Sequence, residues 1–403
     1  MVQAPRLPRI DDLDVNNRRV LVRVDFNVPF NPDGSIRDDT RIRAALPTIT
    51  ALRERGARIV LASHLGRPKG QFDPKLSLEP VGSRLAELLE CEIRLPDEVV
   101  GDGVTKLVLD NRAGQIVLLE NLRFHPGETR NDPIFAQALA NLCDAYVNDA
   151  FGASHRAHAS IVGVAGLVRE HAAGELLATE ISALARIIRV AEHPFVAIVG
   201  GAKISDKLPV LLAILDRLRA GDALVIGGAM ANTFLASLGS KLGRSLVETD
   251  RFIDCRSVQA KAEARQVRLL LPSDLRIGGD LDASEATIVP VFGAELAASE
   301  MALDIGPVSA KRFAEAIAGA ALVFWNGPMG LFENPVFAGG TLAVADAVAG
   351  CKGYTVVGGG DSVAAVQASG LADCIDHIST GGGASLELIE GVDLPGLQAL
   401  MRR

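Results

Sequence analysis

Val196–Leu215, VAIVGGAKISDKLPVLLAIL, runs from four apolar residues through Gly200 and Gly201 into a second apolar stretch of helical length. A short aliphatic strand, a glycine turn and a helix make up the repeating unit of a parallel α/β sheet. Ser205 or Asp206 offers an N-cap and Pro209 suits a first helical turn, which places Lys207 in that turn and Lys203 just ahead of it. Free N–H groups at a helix start attract anions, and two lysines add charge. The plainer reading is a glycine turn with two solvated lysines. No Gly-Lys dipeptide occurs anywhere, so the chain has no Walker A loop.

Outward from this stretch the same form recurs in DALVIGGAM (222–230), ALVFWNGPMG (321–330) and YTVVGGGDS (354–362). The first half carries it in RRVLVRVDFNVP (18–29), ARIVLASHLGRP (57–68), QIVLLENLRFHPGE (115–128) and DAYVNDAFGASHRAH (144–158). Each is an apolar run ending in a polar loop, and in an open parallel sheet such loops gather at the carboxyl ends of the strands, where ligands bind. Between the halves lies ELLATEISALARIIRVA, residues 175–191, with apolar positions at 176, 177, 181, 184, 187, 188 and 190 and no Gly or Pro. That spacing predicts a helix joining two domains.

The composition fits this reading. A chain of 403 residues exceeds one usual domain and is 48% hydrophobic but only 4% aromatic, as expected of aliphatic strands covered by helices. The net charge of -8 repels nucleic acid and anionic membranes at long range, so neither is an expected partner. An anionic substrate therefore needs a local cationic site, which salt screening of the distant carboxylates permits. Cys91, Cys143, Cys255, Cys351 and Cys374 are odd in number and lack CxxC spacing, and so read as buried thiols in a reducing compartment. The start MVQAPRLPRIDD lacks a signal-peptide core and no apolar run is long enough for a span, so the expected location is the cytoplasm.

The two halves differ in their loop chemistry. Arg41, His64, Arg67, Arg123 and Arg156 all sit at or just beyond predicted strand ends of the first half, with Asp25 and Asn27 in VDFNVP. Any one arginine is as readily a surface ion pair, and His64 alone a satisfied loop histidine. Four arginines in equivalent places instead suit a small acid carrying phosphate, because guanidinium binds both groups through paired hydrogen bonds. The second half offers Gly358–Gly360 followed by Asp361 and Ser362, and a second triplet at Gly381–Gly383. Glycine triplets let backbone N–H groups close on an anion, and Asp361 is placed to meet Mg²⁺ whose other ligands are phosphate oxygens and water. In FWNGPMGLFE, Asn326 ends a strand and Glu333 is placed for ribose hydroxyls, while packing suffices to explain Trp325.

Taken in order, VDFNVP, SHLGRP, LLENLRFH, NDAFGASHRAH, GGAKISDK, FWNGPMGLFE, VVGGGDS and STGGGASLELIEG resemble the phosphoglycerate kinases, from about residue 20 to 392. The resemblance implies two six-stranded, doubly wound, Rossmann-like domains with a hinge at the 175–191 helix and Thr380. It sets the N-terminal domain at 1–180 plus a returning tail from about 387 to 403, and the C-terminal domain at 181–386. It implies a monomer that transfers a phosphoryl group between 1,3-bisphosphoglycerate and ADP, giving 3-phosphoglycerate and ATP, in line and after closure, with Mg²⁺ on the nucleotide.

Residue by residue, the resemblance gives Asp25, Asn27, Arg41, His64, Arg67, Arg123 and Arg156 to the phosphoglycerate. It gives Lys207, Asn326, Glu333, Gly359, Gly360, Asp361 and Ser362 to the nucleotide, with Asp361 also near the metal. Lys203 and Arg41 neutralise the phosphoryl group in flight, and Gly382 and Gly383 donate backbone bonds. Ser362 stands where some members have threonine, and Val363 where alanine is common. MVQAPRLPR lies outside the motif set. A nicotinamide dehydrogenase is disfavoured because no early strand leads into G-x-G-x-x-G with an acid about 20 residues on. A catalytically silent relative is disfavoured because Lys203, Asp361 and Arg41 are intact.

Overall fold

The computed structural model describes residues 7–190, 192–292 and 295–402, so the first six residues of the N-terminal extension and Ala191 of the joining segment fall outside it. The chain divides into two compact units, Met1–Ser182 with Asp393–Arg403, and Ala183–Val392. The boundary falls within the helix Glu175–Arg189, the one predicted at 175–191.

The first unit holds six strands: β1 Arg19–Arg23, β2 Arg58–Ala62, β3 Ile93–Arg94, β4 Ile116–Leu118, β5 Ala145–Asn148 and β6 His171–Ala173. They form one parallel sheet in the order β3-β4-β2-β1-β5-β6. Val20, Leu21 and Val22 are all buried, as are Ile59, Val60 and Leu61, so helices cover both faces and no polar alternation survives. Winding proceeds from β1 to one side and resumes on the other at β5, so loops after β1, β2 and β5 open into one crevice. The tail returns to this unit through the helix Pro395–Met401, whose Gly396 N–H donates to the Ser154 carbonyl at 2.9 Å.

The second unit repeats the plan with β7 Phe195–Val199, β8 Ala223–Ile226, β10 Arg268–Leu270, β15 Leu322–Asn326, β16 Tyr354–Gly358 and β17 His377–Ile378, after the intervening β9 Lys241–Leu242 and β11–β14 are counted in chain order. Its parallel order is β10-β8-β7-β15-β16-β17. Strands β11 Asp274–Gly278, β12 Thr287–Pro290 and β14 Met301–Ile305 make a small antiparallel sheet, and β9 pairs with β13 Glu295–Leu296. Nothing in the motif pattern announces these smaller sheets. At the centre, β7 and β15 approach so closely after their last residues that a methyl on Gly200 would lie 2.0 Å from the Pro328 carbonyl oxygen. Only glycine fits there.

One local expectation is corrected. The helix after β7 spans Leu208–Leu215, with Lys207 preceding it and no side-chain cap from Ser205 or Asp206. Glu248, from a distant loop, takes the N–H groups of Ile204 at 2.6 Å and Ser205 at 3.3 Å and the Ser205 hydroxyl at 2.6 Å. A tertiary carboxylate thus holds the turn that a local cap was expected to make. The cysteines are also corrected in part: all five are free, but only Cys143 and Cys255 are buried, while Cys374 is exposed.

Candidate functional site

In the first unit the predicted residues lie on loops after strands, apart from Arg123, in the 3₁₀ turn Leu122–Phe124 after β4, and Arg41, in the first turn of the helix Thr40–Glu54. Arg41 donates to Asp25 Oδ2 at 3.0 Å, and Asn27 Oδ1 accepts from the Gly66 N–H at 2.9 Å, tying the loop after β1 to the loop after β2. Arg123 donates through Nη1 to the Gly66 carbonyl at 2.5 Å, which brings in the loop after β4. Asn121 stiffens the same junction, accepting from Leu65 N–H at 3.1 Å and donating to its carbonyl at 2.7 Å.

Arg67, Arg123 and Arg156 line a cavity of about 490 Å³ together with Lys69, Arg130 and His158, and no carboxylate is among its lining residues. A chain of net charge -8 thus presents a concentrated positive site. Lys69, Arg130 and His158 were not singled out from sequence. Lys69 and His158 stand within two residues of Arg67 and Arg156, so loop adjacency was the available signal.

Arg23 was missed as well. It is the last residue of β1, is 0% exposed, and donates to Ser160 Oγ at 2.9 Å, to the Val24 carbonyl and to His64 Nδ1 at 3.1 Å. A charge buried this deeply needs such partners. Its bond makes His64 Nδ1 the acceptor, so the ring's proton sits on Nε2. Burial, with Arg23, Arg123 and Arg156 nearby, holds the His64 pKa well below the usual imidazole value against the pull of Asp25, and the ring is neutral. Burial also works against the charge on Asp25, but His64, Arg41 and Arg23 outweigh it and keep the carboxyl below its usual range. With His64 neutral, what favours the charged carboxyl is Arg41, Arg23 and the Asn27 N–H, which donates to Oδ1 at 3.3 Å. Desolvation and its cationic neighbours bring Arg123 down to about 10, leaving it charged at neutral pH. Behind this cluster, buried Glu128 accepts from the Ser160 hydroxyl at 2.6 Å and N–H at 3.0 Å, supporting the serine that holds Arg23.

In the second unit a cavity of about 300 Å³ is bounded by Gly201 and Gly228 on one side and Pro328, Glu333 and Asp361 on another, with apolar walls that include Leu275 and Met329. Lys207 Nζ donates to Asn326 Oδ1 at 2.5 Å, joining the loop after β7 to the end of β15. Burial lowers the Lys207 pKa, partly offset by Asp361, Asp206 and Glu390. Ser362 Oγ accepts from the Gly327 N–H at 2.6 Å, so this hydroxyl fixes the loop and its oxygen is committed. Gly359 has φ +89° and leads into the helix Gly360–Ala368, with Asp361 in the first turn. Gly382 has φ +52° and precedes the helix Gly383–Glu390. Of the predicted nucleotide residues, only Glu333 and Asp361 line the cavity; Asn326 ends β15, Gly359 follows β16, Gly360 and Ser362 lie in the first turn of the helix Gly360–Ala368, and Lys207 precedes the helix Leu208–Leu215. Lys203 is exposed on the loop that Glu248 anchors. Trp325 is enclosed in the core, its Nε1 donating to the Gly327 carbonyl at 2.7 Å.

Among the described residues no three His, Cys, Asp or Glu side chains converge to cage a metal. A lone carboxylate at a helix start, Asp361, fits an ion that arrives with most of its oxygen ligands on a phosphate chain. Among the described residues no helix is long and apolar enough to cross a membrane.

The family model described as Phosphoglycerate kinase matches residues 10–392. The phosphoglycerate kinase of Anaeromyxobacter dehalogenans (strain 2CP-C) is 52% identical over 395 residues, covering 98% of this chain and 99% of that protein. That of Thermomicrobium roseum is 50% identical over 393 residues, covering 97% and 98%. The solved phosphoglycerate kinase of Coxiella burnetii superposes with a TM-score of 0.87 at 39% identity, and that of Pyrococcus horikoshii OT3 with 0.86 at 33%, each covering 98% of both chains. The chain belongs to the phosphoglycerate kinase family.

Proposed function

We propose that the arginine-lined cavity of the first unit holds the phosphoglycerate and that the glycine-bordered cavity of the second holds the Mg²⁺-nucleotide. Family membership carries the reaction, reversible transfer of a phosphoryl group between 1,3-bisphosphoglycerate and ADP. The observation that most supports the division is the contrast of linings: four arginines, a lysine and a histidine without a carboxylate around Arg123 and Arg156, against Gly201, Gly228, Glu333 and Asp361 with apolar walls.

In the ATP-consuming direction a carboxylate oxygen of 3-phosphoglycerate attacks the γ-phosphorus, its bond to the bridging oxygen breaks, and ADP leaves. The nucleophile is already ionised at neutral pH, so no side chain must take its proton. Positioning and charge stabilisation then do the catalytic work. Arg67, Arg123 and Arg156 hold the acid's phosphate; Asp25 and Asn27 take its hydroxyl. Neutral His64 donates from Nε2, the atom Arg23 leaves protonated. Lys203 and Arg41 neutralise the moving group and the N–H groups of Gly382 and Gly383 add to it. Lys207, Asn326, Gly359, Gly360 and Ser362 orient the phosphate chain. Glu333 takes the ribose, and Asp361 meets the Mg²⁺, which supplies charge neutralisation on the phosphates when bound. Transfer requires the two ligands to be brought together away from water, for which a hinge near the helix Glu175–Arg189 and Thr380 is the proposed device. The domain limits proposed from the resemblance, and action as a cytoplasmic monomer, belong to the same reading.

Titration calorimetry on two variants tests the division. Arg123→Ala should weaken 3-phosphoglycerate binding about 10-fold or more, the loss of a charge-assisted bond, while leaving Mg-ADP within about 2-fold. Asp361→Ala should do the reverse. Equal weakening of both ligands by Arg123→Ala contradicts the assignment.

A further inference from the structure

Glu128 is a fully buried carboxylate on the loop after β4, and no step of the phosphoryl transfer uses it. Burial works against its charge, but His158, whose Nδ1 lies 3.6 Å from Oε1, together with Arg23 and the Ser160 hydroxyl holds the carboxyl below its usual range. A charge enclosed in this way carries a desolvation cost that neutral packing would avoid.

The bonds of Glu128 fix the polarity of one hydroxyl. Ser160 is held at both backbone groups, its N–H donating to Glu128 Oε2 at 3.0 Å and its carbonyl accepting from the Tyr146 hydroxyl at 2.8 Å. Its hydroxyl proton goes to Glu128 Oε1 at 2.6 Å, which leaves the Oγ lone pairs for Arg23 Nε at 2.9 Å. Arg23 Nη2 in turn donates to His64 Nδ1 at 3.1 Å. Glu128, Ser160 and Arg23 are 0% exposed and His64 is 5% exposed, so bulk solvent is poorly placed to replace a lost link. An ionised carboxylate accepts through both oxygens, whereas a carboxamide has one acceptor and must set its NH₂ against either the Ser160 N–H or the hydroxyl. In the second case the hydroxyl proton turns toward Arg23, and donor meets donor.

We infer that Glu128 is a positioning residue for the reaction: through Ser160 and Arg23 it fixes His64 as the Nε2–H donor presented to the phosphoglycerate. It touches no substrate itself. The inference rests on the reading that His64 donates to the acid.

A double-mutant cycle on the full chain, read by calorimetric titration of 3-phosphoglycerate, separates this role from a merely structural one. His64→Ala should weaken binding about 10-fold or more. Glu128→Gln should weaken it about 5-fold or more with His64 in place, but by less than about 2-fold in the His64→Ala background, because the group through which it acts is already gone. Nitrogen NMR of histidine-labelled protein should show His64 protonated at Nε2 and bare at Nδ1, and Glu128→Gln should erase that signature. Should Glu128→Gln fail to fold, Ser160→Ala, which deletes the bridging hydroxyl and keeps both charges, carries the same cycle with the same expectation. A loss that is equal with and without the His64 ring, or a His64 tautomer unmoved by the variant, overturns the proposal. Binding of 3-phosphoglycerate unmoved by His64→Ala overturns instead the underlying placement of His64 on the acid.

Discussion

Arg23 and Lys203 mark opposite ways in which a single cation serves a phosphate-handling protein. Arg23 is enclosed, bound to Ser160, to the Val24 carbonyl and to His64, and acts by fixing the proton and the neutrality of a ring. Lys203 is exposed, on a loop whose backbone Glu248 secures through Ile204 and Ser205, so its side chain is not needed to hold the loop. Lys203→Ala should therefore lower kcat by about 100-fold or more, in the range of removing one oxyanion donor, while KM for both substrates stays within a few-fold. Steady-state kinetics at saturating substrates checks this; equal losses in kcat and affinity would remove Lys203 from the transition state. These arginines were readable because Arg41, Arg67, Arg123 and Arg156 each follow a strand of the first sheet. Arg23 was not, since a basic residue inside RVLVR looks like an outward position on a half-buried strand, and only the sheet's two-sided burial shows otherwise.

At the scale of elements, the helix Glu175–Arg189 shows how the first sheet meets its own neighbours. Its first N–H groups are taken by Thr48 Oγ1, at 2.7 Å from Glu175 N, and by Asp149 Oδ1, at 3.2 Å from Leu177 N. Asp149 follows β5 directly and is buried, with Oδ2 left without a partner. Burial raises its pKa from 3.8 to about 7, against the opposing bonds from Thr48, Leu177 and Leu176. The folded-state pKa lies above the unfolded one, so the stabilising contribution is complete below pH 3.8 and is lost as pH rises through about 7. Asn does not titrate. Asp149→Asn should thus gain in melting temperature over the unaltered protein as pH goes from 5 to 8, a change on the order of a kcal/mol or more. A difference that stays constant across that range in thermal unfolding contradicts the account. The helix itself was legible from its apolar spacing, and the strands β1, β2, β4, β5, β7, β8, β15 and β16 from apolar runs ending in glycine or polar residues. The antiparallel sheet of β11, β12 and β14 was not, because these strands of four or five residues carry polar side chains such as Asp274, Arg276 and Asp304 and show no long apolar run. The turn before Leu208 was misread because its anchor, Glu248, is about 40 residues away in sequence and contributes nothing to local propensity.

Across the whole molecule, one plan is used twice with different loop chemistry. Each unit has six parallel strands with the first strand of the unit central, and each gathers its loops at the carboxyl ends of the sheet. Arginines fill one set of loops and glycines the other, which is why eight short motifs in order sufficed to indicate both the fold and the reaction. The linings of the individual cavities needed the structure, since burial and committed hydrogen bonds are tertiary facts. The central claim is a carboxyl-directed phosphoryl transfer that needs both sets of loops and no catalytic base. A coupled assay with 3-phosphoglycerate and Mg-ATP tests it most directly. The prediction is formation of 1,3-bisphosphoglycerate by the unaltered protein, with product formed several-fold more slowly by Arg123→Ala at 3-phosphoglycerate concentrations that saturate the unaltered enzyme only just. Absence of 1,3-bisphosphoglycerate from well-folded unaltered protein, or undiminished product from Arg123→Ala, would contradict it.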